Sequence, residues 1–415
     1  MNPLSSLLAL PEEEKQERGL QHTPREIAQQ PETWLATYER FCERHTEIHE
    51  FLKAAGVGAD PSRRPTVYLL GAGTSDYVGR SLAQLLRRFW QCEVYAVPST
   101  DILTHVDQWL VPGRSYLWIS FSRSGESPEG IAVVERALKN HPGIYHLIVS
   151  CNAKAKMLAL TAGRKQMLGV VLPDVVHDRG LAMTSSFSNM VVFGQCLAHV
   201  ESPELYRNIL RQLVAAGTSF LDVAGASAAE LASEDFTSVC FVGSGALKAV
   251  ATESALKVLE LTAGQVRTMS ESALGLRHGP MAALDEQTLL VAFLSGDEKV
   301  RQYEMDLLEE IGRKRLVRTR AVVSAAGLAL DDCAEHVLSY AAATGDRKRG
   351  ADGDAARDVA SYVSTGAGDD YRPPVDVMFG QLLGVFFSLR SGLKPDCPSP
   401  SGAISRVVQN VRIHL

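Results

Sequence analysis

No stretch of this 415-residue chain is apolar for long enough to span a bilayer, which takes an unbroken run of about 18 residues or more. A membrane is therefore not expected as a partner. Positive charge is also short: 42 Lys and Arg stand against 48 Asp and Glu, a net charge of −6, without the cationic surplus that a polyphosphate backbone requires. Nucleic acid is not expected either. The seven cysteines, at 42, 92, 151, 196, 240, 333 and 397, form no CxxC pair and follow no ligand spacing. They read as small core hydrophobes in a reducing compartment, with neither structural zinc nor disulfides. The opening MNPLSSLLALPEEEKQERG lacks a positive segment ahead of its short apolar run, so it does not read as a signal peptide and the expected location is cytoplasmic. HExxH, Walker A and nucleophile-elbow patterns are missing. His45 and His49 are spaced like a metal pair, but Glu43, Glu47 and Glu50 surround them and no third ligand is near, so a solvated helix face is expected. What is present is a globular composition, 46% hydrophobic and 22% charged, able to build a sizeable core.

Residues 1–60 are polar and helical in pattern, with Trp34, Tyr38, Phe41, Ile48 and Leu52 on one stripe that must dock on something. From Val67 the pattern changes to short apolar runs ending in glycine or serine: VYLLGAG, EVYAV, YLWISFS, YHLIVS and GVVLP. Such runs, separated by helix-like stretches, predict buried parallel strands. The pattern then recurs. VYLLGAGTS at 67–75 matches VCFVGSGAL at 239–247, LWISFSRSGES at 117–127 matches LLVAFLSGDE at 289–298, and HLIVS at 146–150 matches RAVVS at 320–324, each about 172 residues on. The expected fold class is α/β, with two copies of one open, doubly wound parallel sheet whose ligands sit at the carboxyl ends of the strands. The expected divisions are 1–60 as a helical segment, 61–201 and 225–395 as the two α/β units, and 396–415 as a tail. Residues 344–372 read as a long polar surface loop within the second unit.

Three turns carry candidate chemistry. Gly71-Ala72-Gly73-Thr74-Ser75-Asp76 follows a strand and opens a helix, but Asp76 stands where a dinucleotide fingerprint needs its third glycine, so NAD is not expected. The turn suits an anion, or it is a tight turn with Thr74 or Ser75 as a helix cap. Ser122-Arg123-Ser124-Gly125-Glu126-Ser127-Pro128 brings three hydroxyls and a glycine to a helix start, which fits a phosphate monoester. Ser127 also reads as a plain N-cap. In the second copy the loop is Phe293-Leu294-Ser295-Gly296-Asp297, which lacks the first hydroxyl, so only the first copy is expected to bind phosphate. Glu260 lies in the last turn of a helix expected over 247–263, with Leu259 and Leu261 beside it. That is the negative end of the dipole, where Lys or Arg is usual, and the placement suits a base that takes a carbon-bound proton. An exposed glutamate of no function is the plainer reading. His278, on the loop Leu276-Arg277-His278-Gly279-Pro280, is placed to reach a ligand, and Glu271 is a further candidate carboxylate; both also fit simple surface roles.

Together these motifs resemble the sugar isomerase (SIS) family. From about residue 22 onward the chain is similar to the isomerase part of glucosamine-6-phosphate synthase. The resemblance rests on His22-Thr23-Pro24-Arg25-Glu26-Ile27-Ala28-Gln29-Gln30-Pro31, the Gly-Thr-Ser turn, Ser122 to Ser127, Ala255-Leu256-Lys257-Val258-Leu259-Glu260 and Arg277-His278-Gly279-Pro280. It is nearer to the AgaS-type galactosamine-6-phosphate deaminases, also called tagatose-6-phosphate ketose/aldose isomerases. That nearer likeness adds Asp178 to Phe187 and the tail Pro398-Ser399-Pro400-Ser401-Gly402 with Arg406 to Gln409. The resemblance implies two tandem SIS-type, flavodoxin-like units. It implies Gly73, Thr74, Ser75, Ser122, Arg123, Ser124 and Ser127 around a 6-phosphate, Glu260 as the proton carrier between C1 and C2, and His278 as the ring-opening residue. Thr184, Ser185, Glu271 and Gln409 are implied as further substrate contacts, with the tail over the site. It implies a homodimer or larger homo-oligomer with a shared site, and no cofactor or metal.

Two departures set a direction. The synthase begins with a glutaminase domain bearing a nucleophilic cysteine, whereas this chain starts Met1-Asn2-Pro3. The synthase's tail lysine forms a Schiff base, but Gln409 stands there, and an amide cannot form an imine. Both favour release of ammonia over its capture. The expected function is thus an aldose/ketose isomerase and deaminase of an amino-hexose 6-phosphate. Galactosamine 6-phosphate going to tagatose 6-phosphate comes from the resemblance alone. The rivals are a non-catalytic sugar-phosphate sensor and a plain sugar-phosphate isomerase.

Overall fold

In the computed structural model, residues 2–324, 330, 333–340, 368–408 and 411–414 are described. Gln409 and residues 344–367 of the polar stretch lie outside the described residues. The apolar runs become strands: β1 Thr66–Gly71, β2 Val94–Pro98, β3 Tyr116–Ser122, β4 Tyr145–Ser150 and β5 Met167–Val171, then β6 Ser238–Gly243, β7 Arg267–Ser272, β8 Thr288–Phe293, β9 Thr319–Ser324 and β10 His336–Ser339. They form two five-stranded sheets, in the orders β2-β1-β3-β4-β5 and β10-β9-β8-β6-β7. All pairings are parallel. Counted within its own stretch of chain, each sheet has its first strand between its second and third, so the order reverses beside that strand. Such a switch point opens a crevice at the carboxyl edge, here between the turns after β1 and β3 and again between those after β6 and β8.

Helices cover both sheets, and the internal strands β1 and β8 are buried throughout, as a parallel sheet packed on two faces requires. In the first sheet's unit, Trp34, Tyr38, Phe41, Ile48 and Leu52 are all buried. Their stripe docks on the helix Ser185–Ala198: Trp34 Nε1 donates to Ser188 Oγ at 2.9 Å, and the rings of Phe41 and Phe193 meet edge to face. His45 and His49 are not merely solvated. His45 Nε2 donates to the Val200 carbonyl at 2.7 Å and His49 Nε2 bonds Glu201 at 3.0 Å, so both rings pin the end of that same helix. The stretch 202–225, read from sequence as lying between the copies, belongs from Pro203 onward to one 31-residue helix, Pro203–Ser233.

The chain divides into two compact units that do not follow its halves. The second sheet's unit takes residues 1–32, 179–184 and 207–403, and the first sheet's unit takes 33–178, 185–206 and 404–415. Two details differ from the sequence reading. Cys42 and Cys397 are exposed while the other five cysteines are buried, because these two fall on the outer faces of polar segments. The end of the polar stretch is no surface loop: Gly368, Tyr371 and Arg372 are buried, and Arg372 ion-pairs with Asp369 and Asp376 ahead of the helix Pro373–Arg390.

Candidate active site

In the first sheet's unit, β1 runs into a turn that only glycine can make. A Cβ on Gly71 would sit 2.3 Å from the Ser75 carbonyl carbon, and Gly73 has φ +56°, the left-handed region. The helix Thr74–Trp90 starts there, with Thr74, Ser75 and Asp76 all buried. Asp76 Oδ2 bonds Arg80 at 2.8 Å, whereas its Oδ1 is buried with no hydrogen-bond partner; burial pushes its pKa up against the pull of Arg80.

The loop after β3 is shaped by its hydroxyls. Ser122 Oγ accepts from the Gly125 amide at 3.0 Å, and Ser124 Oγ accepts from the Glu126 amide at 3.2 Å. Both hydroxyl protons remain to be donated. Gly125 has φ +61°, and any Cβ there would strike Ala155 at 2.3 Å. Ser127 occupies the N-cap of the helix Pro128–Asn140, as its place before Pro128 suggests, but its hydroxyl turns to Glu129 at 2.8 Å instead of capping. The helix's first amides thus stay open for an anion. Arg123, 6% exposed, turns away toward the tail, where its guanidinium donates to the Arg406 carbonyl. Arg406 in turn donates to the Asp178 carbonyl at 2.9 Å. The Asp178 carboxylate accepts from the Ser185 and Ser186 amides at 3.0 and 2.9 Å, so Ser185, itself buried, is engaged through its backbone at a helix start.

In the second sheet's unit the helix Ala246–Leu261 ends one residue after Glu260. The sequence reading set Leu259 and Leu261 beside this carboxylate; the structure adds an ammonium. Lys257, fully buried, reaches Glu260 Oε2 at 2.6 Å and Glu253 Oε1 at 3.3 Å. Burial opposes the lysine charge, but the two carboxylates outweigh it and hold the amine above its ordinary value. Glu260 remains 24% exposed, so its free edge faces outward. Lys257 was not singled out because a helical lysine normally reads as solvated; glutamates at i−4 and i+3 were the available signal. Glu271, at the end of β7, accepts from Lys248 Nζ at 2.6 Å and from the Ser272 amide at 2.7 Å, which hold its carboxyl below the usual range. His278 follows the short helical turn Gly275–Arg277 and is exposed. Thr184 is fully buried, and its carbonyl accepts from Gln381 at 3.4 Å. Gln409 lies outside the described residues. Among the described residues no cluster of three or more His, Cys, Asp or Glu could hold a metal ion, and no helix is long and apolar enough to cross a membrane.

The pattern recurs in known proteins. The chain is 34% identical over 400 residues to the D-galactosamine-6-phosphate deaminase AgaS of Escherichia coli O157:H7, covering 94% of this chain and 95% of that one. It is similar to the solved structure of a tagatose-6-phosphate ketose/aldose isomerase from Escherichia coli, with a TM-score of 0.78, 29% identity and coverage of 95% and 96%. A structure from Clostridium novyi NT, provisionally given that same name, has a TM-score of 0.85 at 30% identity and coverage of 98% of both chains. No family model matches the chain.

Proposed function

This chain belongs to the AgaS-type family of galactosamine-6-phosphate deaminases within the sugar isomerase fold, and from that premise we propose how its own residues carry the reaction. It is a sugar-phosphate isomerase and deaminase acting on an amino-hexose phosphate. In the proposed course, the loop hydroxyls of Ser122 and Ser124, Ser127 once it turns from Glu129, and the Gly73–Ser75 turn bind the 6-phosphate of galactosamine 6-phosphate. His278 moves the proton that opens the ring. Glu260 takes the C2 proton and returns it at C1, so the aldehyde and its neighbouring amine pass through an enolamine to a C2 ketimine. Water then adds to the imine carbon, the nitrogen takes a proton, and ammonia leaves a 2-ketose, tagatose 6-phosphate. No organic cofactor is needed, because the C1 aldehyde delocalises the C2 carbanion as an enolate, and protonation at C1 then leaves the neighbouring amine as the C2 imine. We further propose a homodimer in which His278 serves the neighbouring subunit's site, and a cytoplasmic location, where phosphorylated sugars are made and kept.

The observation that supports the role of Glu260 is its grip by a lysine that is itself fully buried. The ammonium fixes one carboxylate oxygen and leaves the other exposed edge to a substrate carbon. The Escherichia coli structure's name, an isomerase and not a deaminase, keeps amine-free turnover as the rival reading. Ammonium release from galactosamine 6-phosphate and glucosamine 6-phosphate, beside turnover of tagatose 6-phosphate, separates the two. Glu260→Gln is expected to lower kcat at least about 100-fold with KM little changed. Full activity in that variant removes the assignment of the base, and turnover of amine-free phosphates alone selects plain isomerisation.

A further inference from the structure

The two switch points can be compared position by position. Gly73 and Gly245, 172 residues apart, have nearly one backbone geometry, φ 56° and ψ −128° against φ 56° and ψ −127°. A Cβ on Gly243 would meet the Leu247 carbonyl oxygen at 2.4 Å, as one on Gly71 would meet that of Ser75. The loop after β8, Leu294 to Asp297, likewise leads into a helix, Glu298–Lys314. Yet the second crevice is filled. The Ser295 hydroxyl and the Gly296 amide both donate to the Asp369 carboxylate, the amide at 2.9 Å. Arg372 Nη1 adds a third bond to the same carboxylate at 3.0 Å, and Arg301 grips the Ser295 and Gly296 carbonyls at 3.0 and 2.9 Å. A hydroxyl, a backbone amide and a guanidinium converging on one carboxylate at a helix start is how a protein holds a free oxyanion.

A second observation points the same way. Glu304 is 3% exposed; its Oε2 accepts from the Ser295 amide at 2.7 Å, while its Oε1 is buried with no bond of good geometry, Ser244 lying near the carboxyl. Burial raises it to about 7, with Asp369 adding to the rise and the Ser295 amide, Ser244 and Arg372 opposing it. Its place in the first unit, 171 or 172 residues earlier, is taken by Val133 or Ala132. A protonated Glu304 beside the cradle is a donor in waiting.

We propose that the crevice after β6 and β8 is a second oxyanion site, of phosphate or sulfate class, which Asp369 holds shut as a tethered carboxylate. The side chain thereby removes one oxyanion site per chain. This stands whether or not the Ser122–Ser127 loop binds phosphate, because the readout is a difference in stoichiometry. Sulfate is the probe, since its charge is constant between pH 5.5 and 8.5. Calorimetric titration should show Asp369→Ala taking one more sulfate per chain than the wild type, with affinity rising as pH falls and Glu304 gains its proton, at a pH below the wild-type value because the contribution of Asp369 is gone. Asp369→Ala/Ser295→Ala should lose the extra sulfate. Asp369→Asn, whose amide still fills the cradle, should not acquire it. If Asp369→Ala is too unstable to purify, Asp369→Ser takes its place. Equal stoichiometry in a folded variant and the wild type, or an extra sulfate indifferent to Ser295→Ala, overturns the proposal.

Discussion

A single buried imidazole shows how much of this protein's chemistry is packing and how little is catalysis. His146 on β4 is fully buried, lies edge-on to Trp118 and has no hydrogen bond to either ring nitrogen. Burial lowers its pKa to about 4. Its unfolded value is about 6.5, so as pH falls below that the unfolded chain takes up the proton first. The stability due to neutral His146 is thus complete above about pH 6.5 and is lost as pH falls toward 4. Urea unfolding of the wild type at pH 7.5 and pH 5 should differ by about 2 kcal/mol from this residue alone, and His146→Phe should remove that share. His199, likewise lowered to about 4 by burial and then by Arg88, leaves a remainder in the variant. An identical acid loss in His146→Phe would refute the assignment. Lys257 is the opposite case, a charge kept in the interior by two carboxylates, and it explains why single residues mislead a reader of sequence. The type predicts solvent, and only the partners at i−4 and i+3 reverse the inference.

At the scale of elements, the family-marking segment from His22 to Pro31 turns out to be a brace. The helix Thr23–Ala28 is too short to hold itself, and its opening amides are capped from far along the chain. Asp396 accepts from the His22 amide at 3.0 Å and from the Thr23 amide and hydroxyl, each at 2.7 Å. Glu26 accepts from the Arg179 amide at 2.5 Å, and Gln30 donates to Gln381 at 2.7 Å. Asp396→Ala should cost about 2–3 kcal/mol of stability, and Thr23→Val about 1, with clear non-additivity in the double variant by denaturant melts. Additive losses would show that the two do not act as one cap. Such a cap is illegible in sequence because its halves lie 373 residues apart. The strands were more open to reading. In the second sheet, β6, β8 and β9 declared themselves by matching the first copy, and these are the three internal strands. The two missed, β7 and β10, are the edges, where one side faces solvent and polar residues such as Arg267 and His336 are tolerated. The serine loop was legible as hydroxyls before a glycine; that Arg123 leaves it for the tail was not, since nothing in the spacing of Ser122 to Ser127 encodes a bond to residue 406.

For the whole molecule, the proposed sharing of His278 between subunits can be tested without a structure of the assembly. Mixed and reassociated Glu260→Gln and His278→Gln proteins, each nearly inactive, should recover about a quarter of wild-type activity, because a hybrid dimer has one intact site. No recovery despite exchange of subunits, followed by a tag on one variant, would place both residues in one chain's site. Each unit is itself a composite: residues 1–32 complete the second sheet's unit and residues 404–415 complete the first's. During synthesis, the opening helices must therefore wait on the ribosome for strands made some two hundred residues later. The first sheet's unit receives residues 404–415 only after the second sheet has been translated, so its completion is expected to follow synthesis of the whole chain.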